Sequence, residues 1–219
     1  EVQFSGDIWI ESQLQPFSYV RTLNGVPLGS LQFNGLQSRF YIGNWGQSQT
    51  ASSEIQPISL EFGPPGERTS LELGVQQVSA AFQRIENTEF LFSGQIQWDT
   101  GQVSWSNAQT QGSLQQVGML YQSGPASVEG ALDMSYQFSA AGMQIGETEY
   151  SNLQMGLAYL DIDAQVIETY IRLVMSIDPS DEEAMQLALA DFASQQLPLL
   201  LQSDPGFALD PLQFTRGDQ

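Results

Sequence analysis

The sequence predicts an α+β domain: an extended, twisted antiparallel β-sheet covered on one side by two C-terminal helices. Three observations carry this. Apolar and polar residues alternate with period two at several places within positions 1–160. Clusters of Gly, Pro and Asn interrupt the alternation at intervals. After Asp161 the apolar period changes to that of a helix. The 219 residues are read as a single domain, mainly β over 1–160, with the helical cover and a final extended segment over 161–219. The start at Glu1, without an initiator Met or a signal-like stretch, adds the expectation that the numbering begins inside a longer or processed protein.

Asn24-Gly25 and Asn34-Gly35 sit between alternating stretches and are read as hairpin turns, giving a meander over roughly Phe17–Ile42. Gly63-Pro64-Pro65-Gly66, Asp99-Thr100-Gly101 and Ser123-Gly124-Pro125 are read as further turns. Leu71, Leu73 and Val75 share one strand face, and Val78, Ala80 and Phe82 resume in shifted phase. That shift predicts a bulge near Gln76–Gln77. Phe90, Phe92, Ile96 and Trp98 fall on one face of the next strand, with Glu89, Ser93, Gln95 and Gln97 on the other.

Asp163 is placed to cap a helix running to about Met175, with Val166, Ile167, Tyr170, Leu173 and Val174 as its apolar stripe. Asp178-Pro179 ends it. Ser180 and Glu183 have capping-box spacing, and acids crowd the first turn where the helix dipole favours them. This second helix is expected to reach about Gln202, with a kink at Pro198, and to present Leu187, Ala188, Leu189, Phe192, Ala193 and Leu197 to the sheet. It should end at Ser203-Asp204-Pro205-Gly206, and Phe207, Leu209, Leu212 and Phe214 then mark a returning extended segment.

A short pattern of apolar residues around a glycine recurs three times: Phe4-Ser5-Gly6-Asp7-Ile8-Trp9-Ile10, Phe92-Ser93-Gly94-Gln95-Ile96-Gln97-Trp98 and Val128-Glu129-Gly130-Ala131-Leu132-Asp133-Met134. In each, the glycine falls on the apolar face and leaves a dimple, filled by a bulky neighbour or by a ligand. Gly6, Gly94 and Gly130, with Phe92, Ile96 and Trp98, are therefore the candidate apolar-ligand face.

Missing residue types restrict the chemistry. There is no His, no Cys and no Lys, which removes His-based triads and most zinc sites, thiol nucleophiles and disulfides, Schiff bases and Walker-type phosphate loops. Carboxylates, hydroxyls and six scattered arginines remain, and the expectation is a protein that is not an enzyme and takes no metal or other cofactor. A formal net charge of −19 argues against nucleic acid and anionic membrane surfaces as partners. The acidity is read as a solvated surface and also suits a high-salt setting.

Some alternatives have bland competitors. Asp161 and Asp163 form a possible metal edge, but helix capping explains them better. Asp178, Asp181, Glu182 and Glu183 lack the oxygen spacing of a calcium loop. Glu89 and Asp133 are an arbitrary choice as glycosidase carboxylates. Among the aromatics Trp9, Tyr41, Trp45, Trp98 and Trp105, a sugar or lipid platform competes with ordinary cross-strand packing. Trp9 and Tyr41 stand out because they oppose the apolar phase of their strands.

The run Leu153-Gln154-Met155-Gly156-Leu157-Ala158-Tyr159-Leu160-Asp161-Ile162-Asp163-Ala164-Gln165-Val166-Ile167 resembles the strand-into-helix segment of YdgA-like bacterial envelope proteins. The closing stretch from Leu197 to Asp218, with its helix end, Asp204-Pro205-Gly206 and Asp210-Pro211, is similar to that family's last motif, and Gly94-Gln95-Ile96-Gln97-Trp98 is similar to its upstream strands. The resemblance covers about the last two thirds of the chain. It implies an exported domain in the periplasm, attached to the inner membrane by an anchor outside this sequence, and it supplies no catalytic residues.

The leading expectation is a non-catalytic envelope module working through protein–protein contact or self-assembly, with a protein partner or a second copy bound along edge strands or a wet polar face. The alternative is a carrier of lipid or another apolar ligand held between sheet and helices.

Overall fold

The computed structural model describes residues 6–64, 66–178, 180–202 and 204–216, with the backbone alone at position 197. Phe4, Ser5, Pro65, Pro179, Ser203, Gly217 and Asp218 and the side chain of Leu197, all used in the expectations above, lie outside the described residues.

Eight short strands come first: β1 (Ile8–Leu14), β2 (Phe17–Leu23), β3 (Val26–Phe33), β4 (Leu36–Gly43), β5 (Ser48–Ile55), β6 (Ile58–Phe62), β7 (Thr69–Leu73) and β8 (Gln76–Arg84). Four long ones follow: β9 (Phe92–Ser106), β10 (Gln111–Pro125), β11 (Ala131–Ile145) and β12 (Thr148–Asp163). Helices α1 (Ala164–Ser176) and α2 (Glu182–Gln202) lead to a last strand, β13 (Gly206–Arg216). All strands join one antiparallel sheet, the α+β architecture expected from the alternation and the late helical period.

The short strands are pieces of long ones. β1 pairs with β4 and β2 with β3 in one register across the cut, Leu14 opposite Leu36 and Phe17 opposite Phe33, and the register shifts only further out, between Arg21 and Thr22. The same continuity joins the β4–β5 pairing to β3–β6, β5–β8 to β6–β7, and β8–β9 to β7–β9. Four strand lines result, each cut by two residues: Gln15-Pro16, Asn34-Gly35, Gln56-Pro57 and Gly74-Val75. Beyond them β9, β10, β11, β12 and β13 continue the up-and-down order. Pro16 and Pro57 have no N–H to give the ladder, which is a physical reason for the cut at those points. The line of breaks carries on across the uncut strands, where Gln116 (φ 49) and Asn152 (φ 54) adopt left-handed backbone while pairing resumes on either side.

Two largely apolar rows flank this line, the first interrupted by the buried polar pair Gln76 and Thr100. One runs Leu14, Leu36, Ile55, Gln76, Thr100, Val117, Ala140, Leu153 across neighbouring strands. The other runs Phe17, Phe33, Ile58, Leu73, Val103, Leu114, Met143, Tyr150. The apolar phase therefore moves by one residue across the break, although the pairing does not slip. This corrects the bulge expected near Gln76–Gln77: the phase changes at the Gly74-Val75 cut.

Three expected turns are also corrected. Asn24-Gly25 does reverse the chain, but Asn34-Gly35 is a cut after which the chain runs on in the same direction. Asp99-Thr100-Gly101 lies inside β9, and Ser123-Gly124-Pro125 completes β10. The reversal after β9 comes at Asn107, whose Oδ1 accepts from the N–H groups of Gln109 (2.8 Å) and Thr110 (2.7 Å). Glu89 and Phe90 precede β9 rather than belonging to it.

The buried apolar side chains among the described residues are Leu91, Val117, Ala131, Leu132, Ala140, Ile162 and Val166. Leu132 pairs with Ile162, and Asp163 begins α1 by accepting from the N–H groups of Gln165 (2.8 Å) and Val166 (3.1 Å). α2 is capped by Asp181, which accepts from Ala184 N–H at 3.0 Å, and not by Ser180, whose hydroxyl and N–H both go to Asp178. Its half-buried stripe is Met185, Ala188, Leu189, Phe192 and Leu200, whereas Leu187 is 66% exposed and Ala193 is exposed. The helices pack on each other, with Tyr170 and Phe192 ring centroids 5.5 Å apart, and both touch β12. α1 also reaches the loop before β9, where Glu168 accepts from Glu89 N–H and Arg172 pairs with Glu89 at 2.8 Å.

The accessible surface is 14837 Å², against about 10,000 Å² for a compact monomer of 24.1 kDa. Much of the sheet is open to solvent.

Candidate functional site

The three glycines of the repeated pattern do not line one face. Gly6 precedes β1 with φ +75, and a Cβ there would meet the Trp45 indole at 2.6 Å. Gly94, in β9 opposite Phe82, lies so close to its neighbour that a Cβ would run into the Ala81 carbonyl oxygen and the Phe82 ring. Gly130 has φ +79, sits in the turn before β11, and its carbonyl accepts from Ala164 N–H at 2.9 Å. Backbone conformation and close approach explain these glycines, and at Gly6 and Gly94 no room is left.

Phe92, Ile96 and Trp98 do share a face of β9. Arg84 stands over the Phe92 ring at 5.6 Å, Ile96 is 38% exposed between Ala80 and Tyr121, and Trp98 Nε1 donates to Gln76 Oε1 at 3.1 Å. Gln76 is only 5% exposed, and its Nε2 has no partner among the described residues.

The opposite face of β1, β4, β5, β8 and β9 is polar and concave. A groove of about 850 Å³ is built from two adjacent cross-strand rows: Gln13, Gln37, Glu54, Gln77, Asp99 and Glu11, Arg39, Ser52, Ser79, Gln97. A smaller groove of about 360 Å³ shares Gln97 and Asp99 and extends the same rows over Gly118, Ser139, Gln154, Leu120 and Gln137. Arg39 Nε pairs with Glu11 at 3.1 Å, and Gln97 donates to Asp99 at 2.7 Å. One row further along this face, Trp9 and Tyr41 pair directly with ring centroids 4.4 Å apart. Trp9 is 70% exposed. Burial, then the charge of Asp7 and a hydrogen bond to it, hold the Tyr41 hydroxyl above its ordinary pKa. Sequence reasoning singled out this aromatic pair but not the groove, which exists only because ten residues from five strands fall into register.

A third groove, about 460 Å³, is apolar and lies among Tyr19, Leu28, Leu31, Leu60 and Phe62.

The carboxylates weighed from sequence are engaged locally. Asp163 caps α1, Asp133 accepts from Asp161 N–H at 2.9 Å, and Glu89 pairs with Arg172. Asp178 is held below the usual carboxylate range by its bonds from the Ser180 N–H and hydroxyl. Among the described residues, no group of three or more acids is placed to hold a metal ion, and no helix is long and apolar enough to cross a membrane.

Compared with known proteins, the chain matches over residues 1–218 the family model described as bacterial protein of unknown function, DUF945. No curated protein and no solved structure matches it.

Proposed function

The chain belongs to this bacterial family of unknown function, and from that premise we propose that it is a non-catalytic envelope module that self-assembles through its open sheet edge. The observation that carries the reading is the β1–β2 line. It is exposed at every residue, unpaired on its outer side among the described residues, and rich in large apolar side chains, among them Ile8, Ile10, Phe17 and Val20. An edge of that length and composition is a template for strand addition.

A second copy suits the edge. In a chain of net charge −19 the two strands carry one acid, Glu11, and one base, Arg21, so two copies meet there without opposing like charges. The surplus of roughly 5,000 Å² over a compact monomer also exceeds what a standard interface covers. The other edge, β13, is poorly suited to this role: its pairing with β12 shifts register twice and Pro211 interrupts its donors.

Sedimentation of the purified domain is expected to show a dimer or larger species, dispersed in Ile10→Lys and Val20→Lys variants that keep the wild-type circular dichroism. A monomer at roughly 100 µM, which is less than about 5.4 kcal/mol of association, overturns the proposal. Residence in the periplasm with an inner-membrane anchor is the companion proposal, supported by the YdgA-like resemblance. Protease added to spheroplasts should digest the domain, and full protection would refute that location.

The carrier reading has support in the apolar groove around Leu31 and Leu60 rather than at the glycines. Lipid retained in native mass spectra of the wild type and lost in Leu60→Asp would favour it.

A further inference from the structure

We infer that the polar groove facing away from Ile96 and Trp98 is a binding site for a neutral oligosaccharide, with Trp9 as its stacking platform. This does not rest on the self-assembly proposal, because strand pairing adds chain in the plane of the sheet and leaves its faces open.

Three features converge. The first is an aromatic in the wrong place for a core: Trp9 is 70% exposed, opposes the apolar phase of β1 and is braced against Tyr41 at 4.4 Å. A pyranose ring presents a face of C–H groups to such a surface, and burying an indole face against it recovers apolar area now in water. The second is the lining. Gln13, Gln37, Gln77, Ser52 and Ser79 line the groove and are exposed, so their amides and hydroxyls are available to sugar hydroxyls, which both donate and accept. The third is shape: an open trough of about 850 Å³ crossing five strands, continued by about 360 Å³ more, has the form for a chain of several sugar units rather than a single compact ligand.

Charge selects among sugars. Glu11, Glu54 and Asp99 line the trough against Arg39 alone, within a chain of net charge −19, so anionic glycans are repelled.

The test titrates the purified domain with cellotetraose, maltotetraose and the tetramer of N-acetylglucosamine, and separately with a tetragalacturonate. At least one neutral tetramer is expected to bind and to change tryptophan fluorescence. Trp9→Ala should remove most of that signal and weaken binding about tenfold. Gln37→Ala, on an inner strand and away from the indole, should weaken it severalfold. Both positions are exposed, so near-ultraviolet circular dichroism outside the Trp9 contribution and the unfolding midpoint should stay as in the wild type. Absence of binding for all three neutral tetramers at roughly 10 mM, beyond which affinity falls under about 2.7 kcal/mol, overturns the inference. So does unchanged affinity in both variants, or a preference for the tetragalacturonate.

Discussion

The cut strand lines of the first half and the uncut strands of the second differ in what holds them. Every buried apolar side chain among the described residues lies at position 91 or later, on β10, β11, β12, α1 or the loop before β9. β1 and β2 bury nothing, and β3 to β8 are at best half-buried outside Gly35, Gly43 and Gln76. The second half thus has a small core, of which Leu132, Ile162 and Val166 lie at the start of α1 and Val117 and Ala140 pair further along the sheet. The first half extends the same sheet by ladder hydrogen bonds and partial burial, and a two-residue cut in each of its four lines reduces even that continuity. A sheet extension of this kind leaves apolar surface in water and adds little stability of its own.

The sharpest way to break the comparison is truncation on both sides of it. Leu132→Ala, at 6% exposure, should cost about 2–5 kcal/mol in urea unfolding. Ile10→Ala, at 50% exposure, should stay within about 0.5–1 kcal/mol. Equal costs would show that the first half carries a core of its own.

Next comes the seam between the halves. Gly94→Ala places a methyl against the Ala81 carbonyl and Phe82, and the β8–β9 ladder must open to accept it. The expected loss is about 1–3 kcal/mol, with β1–β8 amides exchanging faster while β10 and β11 keep their protection. Uniform acceleration across both halves would mean that they unfold as one unit.

The residues also show why some of this was legible and some was not. Alternation in Phe92–Trp98 and the acids around Asp163 act locally, and local patterns identified β9, the α1 cap and the late helices. The breaks did not read correctly because Asn-Gly has the same local chemistry at 24–25, where the chain reverses, and at 34–35, where it does not. Only the partners, Leu14 and Ile55 beside Leu36, decide between them. The groove failed for the same reason: Gln13, Gln37, Glu54, Gln77 and Asp99 are unremarkable singly and become one row only through four pairings. Trp9 and Tyr41 stand out in the sequence because a violation of alternation is itself a local signal.

A smaller effect tests the junction of core and helix. Asp163→Ala removes the acceptor for two N–H groups at the start of α1 and should cost about 1 kcal/mol. Because Val166 and Ile162 share that junction, the loss belongs to the second half alone. Exchange in β4 and β5 should not respond.

The smallest effect is alkaline, and the composition makes it clean to measure. Without His, Cys or Lys, tyrosines are the side chains that titrate between about pH 9 and 11.5. Two are displaced, one in each half. Tyr41 is raised from 10.0 by burial, then by the Asp7 charge and hydrogen bond. Tyr136 is raised from 10.0 by burial, then by Tyr121 and Tyr159. The folded protein holds these protons more tightly than the unfolded chain does. Their contribution is therefore complete below pH 10 and is lost as pH rises through the folded values. Unfolding midpoints should be level to about pH 9.5 and fall above it. Tyr41→Phe should flatten the fall for β1–β8 amides, and Tyr136→Phe the fall for β10–β12. A single fall that neither variant moves would place the alkaline sensitivity in general acidic repulsion instead, and the two halves would then share one electrostatic response.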